Sequence, residues 1–231
     1  MNKAIHTPRP YLPALPWDRI DTVMLDMDGT LLDKYFDDYF WEKYVPRVYA
    51  VKHGLSDAKA EEQLLAKYRS VESTLQWTDL YYWTERLGLD MISLKREINE
   101  LINVHDHVFD FFTFVKARKK RLCLITNAHP KTLDIKLEKT GIGSYFDSII
   151  CADEVGYAKE QVEFWHGLEK LLDFDTTTTM FADDTEKVLH AAGQYGLQYL
   201  VHVAKASSRL DTVYSAVYPS ILHFKELIVA R

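Results

Sequence analysis

Four short polar runs carry the residue types that could do chemistry: Asp26-Met27-Asp28-Gly29-Thr30, Thr126-Asn127, Lys159 and Asp183-Asp184. A carboxylate is a weak nucleophile and needs activation and alignment. A second carboxyl two residues away can act as general acid and base. A threonine hydroxyl, a backbone amide and a lysine together can hold an oxyanion. Four carboxylates placed close together repel one another and stay ionised only around a cation. An oxygen-only donor set suits Mg²⁺, which also accepts phosphate oxygens.

The elements around these runs decide whether they meet. Residues 19–25 (RIDTVML) read as a strand that runs directly into Asp26. Residues 121–125 (RLCLI) read as a buried strand ending at Thr126, and 177–182 as a strand ending at Asp183. Further strands are expected at 148–151 and 197–203. Helices are expected at 108–119, from Pro130 to Gly141, at 161–172 and at 186–195. A final amphipathic helix is expected at 221–229. Strands separated by such helices imply a mostly parallel sheet covered on both faces. In an open parallel sheet, ligands bind beyond the carboxyl ends of the strands. Asp26, Asp28, Thr126, Lys159, Asp183 and Asp184 should therefore face one cavity.

Between about Lys34 and Asn103 the texture changes. No strand is convincing, and apolar residues such as Phe36, Tyr39, Phe40, Tyr44, Val48 and Val51 recur at helical spacing. About four helices are expected, broken near Gly54, Gly88 and 90–93. The expectation is one α/β domain formed by residues 1–32 and 106–231, interrupted by a helical lobe at 33–105. Residues 1–18, with four of the chain's seven prolines, should form an extended arm.

Composition narrows the function classes. The chain has 231 residues, 47% of them hydrophobic and 13% aromatic, enough for a real core. A formal net charge of −6 argues against a nucleic-acid partner. No apolar run is long enough for a membrane span, and the first 19 residues do not resemble a secretory signal. Two cysteines, Cys123 and Cys151, give no disulfide framework, so a cytoplasmic location is expected. Oligomeric state leaves no signature. No GxxxxGK[ST] run occurs, which sets aside a P-loop kinase.

DMDGTLLD at 26–33, TN at 126–127, Lys159 and DD at 183–184 together resemble the haloacid dehalogenase-like (HAD) hydrolase superfamily. The likeness extends from Asp21 to about Val203. The runs FDDYFW, TNAHPKTLDIKLEKTG, GYAKE and FADDTE are similar to those of the bacterial GMP/IMP nucleotidase branch. The resemblance implies a HAD-like Rossmannoid fold with an inserted α-helical cap of the C1 type. It implies an Mg²⁺-dependent phosphomonoester hydrolase acting through an aspartyl phosphate on a small molecule, a purine nucleoside 5′-monophosphate first. Asp26 would be the nucleophile and Asp28 the general acid. Thr126 and Asn127 would hold phosphoryl oxygens, and Lys159 would neutralise charge there and restrain Asp26. Asp26, the carbonyl of Asp28, Asp184 and Asp183 would hold the metal. Family members close to this one carry proline before the motif lysine; Ala158 stands there, which predicts a less rigid turn.

Other readings remain beside this one. A sugar-phosphate or phosphoglycolate phosphatase, or a phosphoglucomutase, would carry the same phosphoryl-handling motifs. A lapsed hydrolase that binds Mg²⁺ and phosphate without turnover is the non-catalytic alternative. Phe36 and Asp37 follow the first motif and are candidates to touch the leaving group. His129 could contact substrate or cap the helix that starts at Pro130. The His105-Asp106-His107 run reads as solvated linker rather than a metal cluster. Most aromatics of the lobe should pack its bundle.

Overall fold

The structure is a computed structural model that describes residues 14–72 and 74–228. Most of the expected N-terminal arm, residues 1–13, lies outside the described residues. Its last part turns rather than extending. Trp17 is buried edge-on against Phe111 and Phe114, with ring separations of 6.0 and 4.9 Å.

Six strands form one parallel sheet: β1 (Thr22–Leu25), β2 (Arg121–Thr126), β3 (Ser148–Cys151), β4 (Thr179–Asp183), β5 (Tyr199–Val203) and β6 (Ser220–Ile221). Their spatial order is β3-β2-β1-β4-β5-β6, and every pairing is parallel. The α/β expectation holds. Because successive strand residues point to opposite faces, β1 feeds two cores. Val23, Leu25, Leu122, Leu124 and Met180 pack with Val108, Phe111, Phe112 and Val115 of α7 (Val108–Ala117). Met24, Cys123, Ile125 and Phe181 pack with Phe164, Trp165 and Leu168 of α10 (Val162–Leu168). Val188, Leu189 and Ala192 of α11 (Glu186–Tyr195) join that second core. Two further helices, α8 (Pro130–Thr140) and α9 (Ala152–Val155), follow β2 and β3.

Between β1 and β2 the described chain is helical. Helix α1 (Tyr35–Tyr39) continues through a π-turn at Phe40–Tyr44 into α2 (Val45–His53), which stops at Gly54 with φ 62°. Ser56 caps α3 (Asp57–Arg69) by accepting from the Lys59 amide, and α4 (Leu75–Thr78) follows. Asp79 caps α5 (Leu80–Leu87) and Asp90 caps α6 (Met91–Glu97), so the break expected at 90–93 is the start of a helix. The two connections to this segment run side by side. The Asp33 amide donates to the Asn103 carbonyl and the His105 amide to that of Leu31, both at 2.9 Å.

The helix expected at 221–229 is not formed. Pro219 ends a loop after which Ser220–Ile221 pairs with β5, and a short 3₁₀ turn at Phe224–Leu227 follows; Val229 lies outside the described residues. Pairing with an open strand edge outweighs a short amphipathic pattern there. Among the described residues no helix is long and apolar enough to cross a membrane.

The aromatics of the helical segment pack on one another. Trp83 is fully buried and donates from its indole Nε1 to the Trp77 carbonyl at 2.9 Å. Trp41, Tyr68 and Trp77 surround it at ring separations of 5.0–6.4 Å. Trp83→Ala is expected to cost about 3–5 kcal/mol, seen as a lower urea-unfolding midpoint. An unchanged midpoint would show that this cluster does not hold the segment together.

Candidate active site at the carboxyl edge of the sheet

Strand register brings the acidic runs together. Leu25 pairs with Leu124 on one side and Ala182 on the other, so Asp26 emerges beside Ile125 and Asp183. The Asp26 amide donates to the Ala182 carbonyl at 3.0 Å. The polypeptide then turns tightly: the amides of Leu31 and Leu32 both donate to the Met27 carbonyl. Gly29 sits at φ +90° inside this turn. A Cβ on Gly29 would lie 2.5 Å from Asp184 Oδ2, so glycine is what lets the turn pass the Asp184 carboxylate.

Lys159 is the centre of the cluster. It is 2% exposed, and its Nζ donates to Asp26 Oδ1 at 2.5 Å, to Asp183 Oδ2 at 2.7 Å and to the Ile125 carbonyl at 3.3 Å. Burial alone would lower its pKa, but Asp183 and Asp26 outweigh that and raise it above the ordinary lysine range. Burial raises the pKa values of Asp26 and Asp183 even against the Lys159 charge. Asp183 Oδ1 also accepts from the Thr185 amide at 2.8 Å. Asp184 pairs with Lys34 at 3.2 Å, and its carbonyl meets His202 Nε2 at 3.1 Å.

The loop that carries Lys159 is pinned, contrary to the expectation from Ala158. The Asn127 side chain accepts from the Lys159 amide at 2.9 Å and donates to Glu160 at 2.8 Å. The Ala158 amide donates to Gln161 Oε1 at 3.1 Å, a bond that proline could not make. Trp165 Nε1 donates to the Lys159 carbonyl at 3.0 Å. Hydrogen bonds do here what ring rigidity would do elsewhere.

Asp26, Asp28, Asp37, Thr126, Asn127, His129, Lys159, Asp183 and Asp184 all line one cavity of about 460 Å³. Trp41, Tyr68 and Trp77 line it too, together with Lys34, Asp38, Lys95 and Glu160. Thr126 is buried, and its hydroxyl oxygen accepts from the Ala128 amide at 3.0 Å. His129 takes the capping role, its Nδ1 accepting from the Lys131 amide at the start of α8, and the residue also lines the cavity. Phe36 does not reach the cavity. It is 1% exposed and stacks on Phe40, because it lies on the buried face of α1 while its neighbour Asp37 lies on the cavity face. His105 meets the Ala206 carbonyl and His107 meets Asp110. Neither joins a group of three potential metal ligands among the described residues.

Asp26, Asp183 and Asp184 do form such a group. One oxygen from each lies within 4.8 Å of the others. Asp26 Oδ2 is buried without a hydrogen-bond partner. Three hard oxygen donors and an orphaned buried carboxylate oxygen fit a small divalent cation. The Asp28 carboxylate stands apart from this trio. It is held by Lys136 at 2.5 Å, and burial raises its pKa to about 6 against that lysine's pull.

Lys136, Lys95 and Lys34 were not singled out from the sequence. Lys136 follows Leu133 by three positions on α8, and Lys95 falls between Met91, Leu94 and Ile98 on the apolar side of α6. A lysine inside an apolar stripe is the signal that would have found both.

Residues 20–196 match the family model described as haloacid dehalogenase-like hydrolase. The chain belongs to that family. It is 37% identical over 214 residues to the GMP/IMP nucleotidase YrfG of Escherichia coli, covering 93% of this chain and 96% of that protein. It is 25% identical over 176 residues to the pyrimidine 5′-nucleotidase YjjG of Escherichia coli, covering 71% and 77%. A HAD phosphatase structure from Thermococcus onnurineus has a TM-score of 0.73 at 21% identity, covering 90% of this chain and 96% of that one. The fold is therefore shared, and the chain is a hydrolase.

Gly29→Ala is expected to displace Asp184 and to strain the turn, costing about 1–3 kcal/mol. Mg²⁺ is expected to raise the melting temperature of the wild type, and that rise is expected to shrink in the variant. A variant with unaltered stability and an unaltered Mg²⁺ response would contradict this reading of the turn.

Proposed function

We propose that this protein is a cytoplasmic, Mg²⁺-dependent phosphomonoesterase that works through an aspartyl phosphate on Asp26, with purine nucleoside 5′-monophosphates, GMP and IMP first, as substrates. The identity to the GMP/IMP nucleotidase over nearly the full length of both chains carries the choice of substrate. The cavity is consistent with it: its lining combines carboxylates and Lys159 with the rings of Trp41, Tyr68 and Trp77, which can stack on a purine. Two buried free cysteines fit a reducing compartment.

Asp26, Asp184 and the carbonyl of Asp28 would hold the Mg²⁺, with Asp183 close by, and the ion when bound offsets phosphate charge. Lys159 restrains Asp26 through Oδ1, and the Asp26 carboxylate attacks phosphorus. The P–O ester bond breaks in line, and Asp28 gives its proton to the departing ester oxygen. Asp28 then takes a proton from water, whose oxygen attacks the same phosphorus. The Asp26 acyl–phosphate bond breaks and inorganic phosphate leaves. Thr126 and the Asn127 amide hold phosphoryl oxygens throughout. Lys159 contributes its charge, since its three N–H directions are taken by protein oxygens.

We read residues 33–105 as a cap over a core formed by 1–32 and 106–231. The cap would exclude water from the phosphorylated aspartate and contact the leaving group. Asp37 and His129 line the cavity and are candidates for that contact.

The test is a phosphate-release panel with Mg²⁺ and with EDTA. GMP and IMP should exceed glucose phosphates in kcat/KM by about tenfold or more, EDTA should abolish release, and Asp26→Asn should lower kcat by at least about 10³-fold. Glucose phosphates ranking equal to GMP would overturn the substrate. Full activity in Asp26→Asn or in EDTA would overturn the mechanism.

A further inference from the structure

A second charged chain lies behind Asp28. Lys136 donates to Asp28 Oδ1 at 2.5 Å and also to Asp37 Oδ2; Lys95 donates to Asp37 Oδ1 at 2.8 Å. Negative and positive groups alternate along it: Asp28, Lys136, Asp37, Lys95. Both lysines are 1% exposed. Burying two ammonium groups is costly, and apolar side chains would fill these helix stripes at less cost. The arrangement therefore calls for a reason beyond packing.

The connectivity supplies one. Lys136 comes from α8, next to the sheet, whereas Asp37 and Lys95 come from α1 and α6 of the helical segment. The chain of ion pairs joins the two across their contact and ends on Asp28. Phe36 closes it from one side, 5.3 Å from the Lys136 ammonium and 4.8 Å from that of Lys95. Lys136 itself is not among the residues lining the cavity, whereas Asp28 is, with 23% of its side chain exposed. Asp26 and Asp28 thus have separate cations, Lys159 for the first and Lys136 for the second.

We propose that Lys136 is a positioning residue for Asp28, locked by Asp37 and Lys95, so that the acid is aimed at the leaving-group oxygen only while the helical segment is packed against the sheet. The proposal rests on the phosphatase reading above. It extends that reading by giving Asp37 a task other than substrate contact. It also gives the buried Phe36 a task, as the wall that keeps both ammonium groups on their carboxylates.

An acid matters most when the departing group is a poor one. An alkyl ester such as GMP leaves as an alkoxide unless it is protonated, whereas p-nitrophenyl phosphate leaves as a stable phenolate. The experiment compares kcat/KM for both esters, with saturating Mg²⁺, in the wild type, Lys136→Met, Lys136→Arg and Asp37→Asn. This parameter reports the steps up to phosphoryl transfer to the enzyme. The expected result is that Lys136→Met loses at least about tenfold more on GMP than on p-nitrophenyl phosphate. Lys136→Arg should recover part of that difference, and Asp37→Asn should show a smaller difference of the same sign. Equal losses on both esters would overturn the positioning role and leave a structural one. Should Lys136→Met fail to fold, Asp37→Asn decides, because it leaves the Lys136–Asp28 pair in place. A wild type inactive on both esters would overturn the phosphatase reading itself. A wild type active on the aryl ester alone among these two overturns only the nucleotide assignment, and the best alkyl ester of the panel then replaces GMP.

Discussion

Keeping several closely spaced, largely buried carboxylates ionised is the constraint on which the rest of this structure depends. Asp26 and Asp183 are 5% and 1% exposed, and Asp184 is within reach of both. Burial favours the neutral forms of Asp26 and Asp183, and the neighbouring carboxylates do the same. Lys159 between Asp26 and Asp183, and Lys34 against Asp184, offset part of that cost. One buried oxygen, Oδ2 of Asp26, is left without a partner. Removing a single lysine from such a set would strand a buried charge, at a cost of about 3–5 kcal/mol. The cluster is therefore a point of fragility in the fold.

The fold meets this constraint by placing acids where strands end. Parallel strands all deliver their carboxyl ends to one edge, and β1 lies between β2 and β4. A residue just past the end of β1 therefore has neighbours from both sides. The Gly29 turn brings the backbone close to Asp184, and the loop at Ala158–Lys159 reaches back over the sheet through Asn127, Gln161 and Trp165. The helical segment is tied in twice. Its two connections are hydrogen-bonded to each other, and its Asp37, held from within the segment by Lys95, forms an ion pair with Lys136.

Much of this was legible in the sequence. An apolar run that stops at a polar residue is a strong local pattern, and three of them, ending at Asp26, Thr126 and Asp183, imply a shared edge once the sheet is parallel. The helical insert was legible from its aromatic periodicity. Other features needed tertiary information. Phe36 and Asp37 are adjacent in sequence, yet Asp37 lines the cavity while Phe36 is buried, and proximity to the first motif did not say which would do which. The partners of Lys136 and Lys95 are 99 and 58 residues away, so their pairing could not be read locally. The pattern at 221–229 suggested a helix because nothing local revealed the open edge of β5 that Ser220–Ile221 would take. Ala158 suggested a looser turn because the compensating bond comes from the Gln161 side chain, not from local backbone preference.

The central claim is that the Asp26 carboxylate becomes bonded to phosphorus during turnover. The direct measurement is to acid-quench the enzyme during turnover of a phosphate ester with Mg²⁺, reduce it with tritiated borohydride, and locate the label by peptide mapping. Acyl phosphates are reduced under these conditions, whereas free carboxylates are not. The account predicts label in the peptide that carries Asp26, dependent on both substrate and Mg²⁺. Label on another acidic residue, or steady turnover with no label at all, would contradict it.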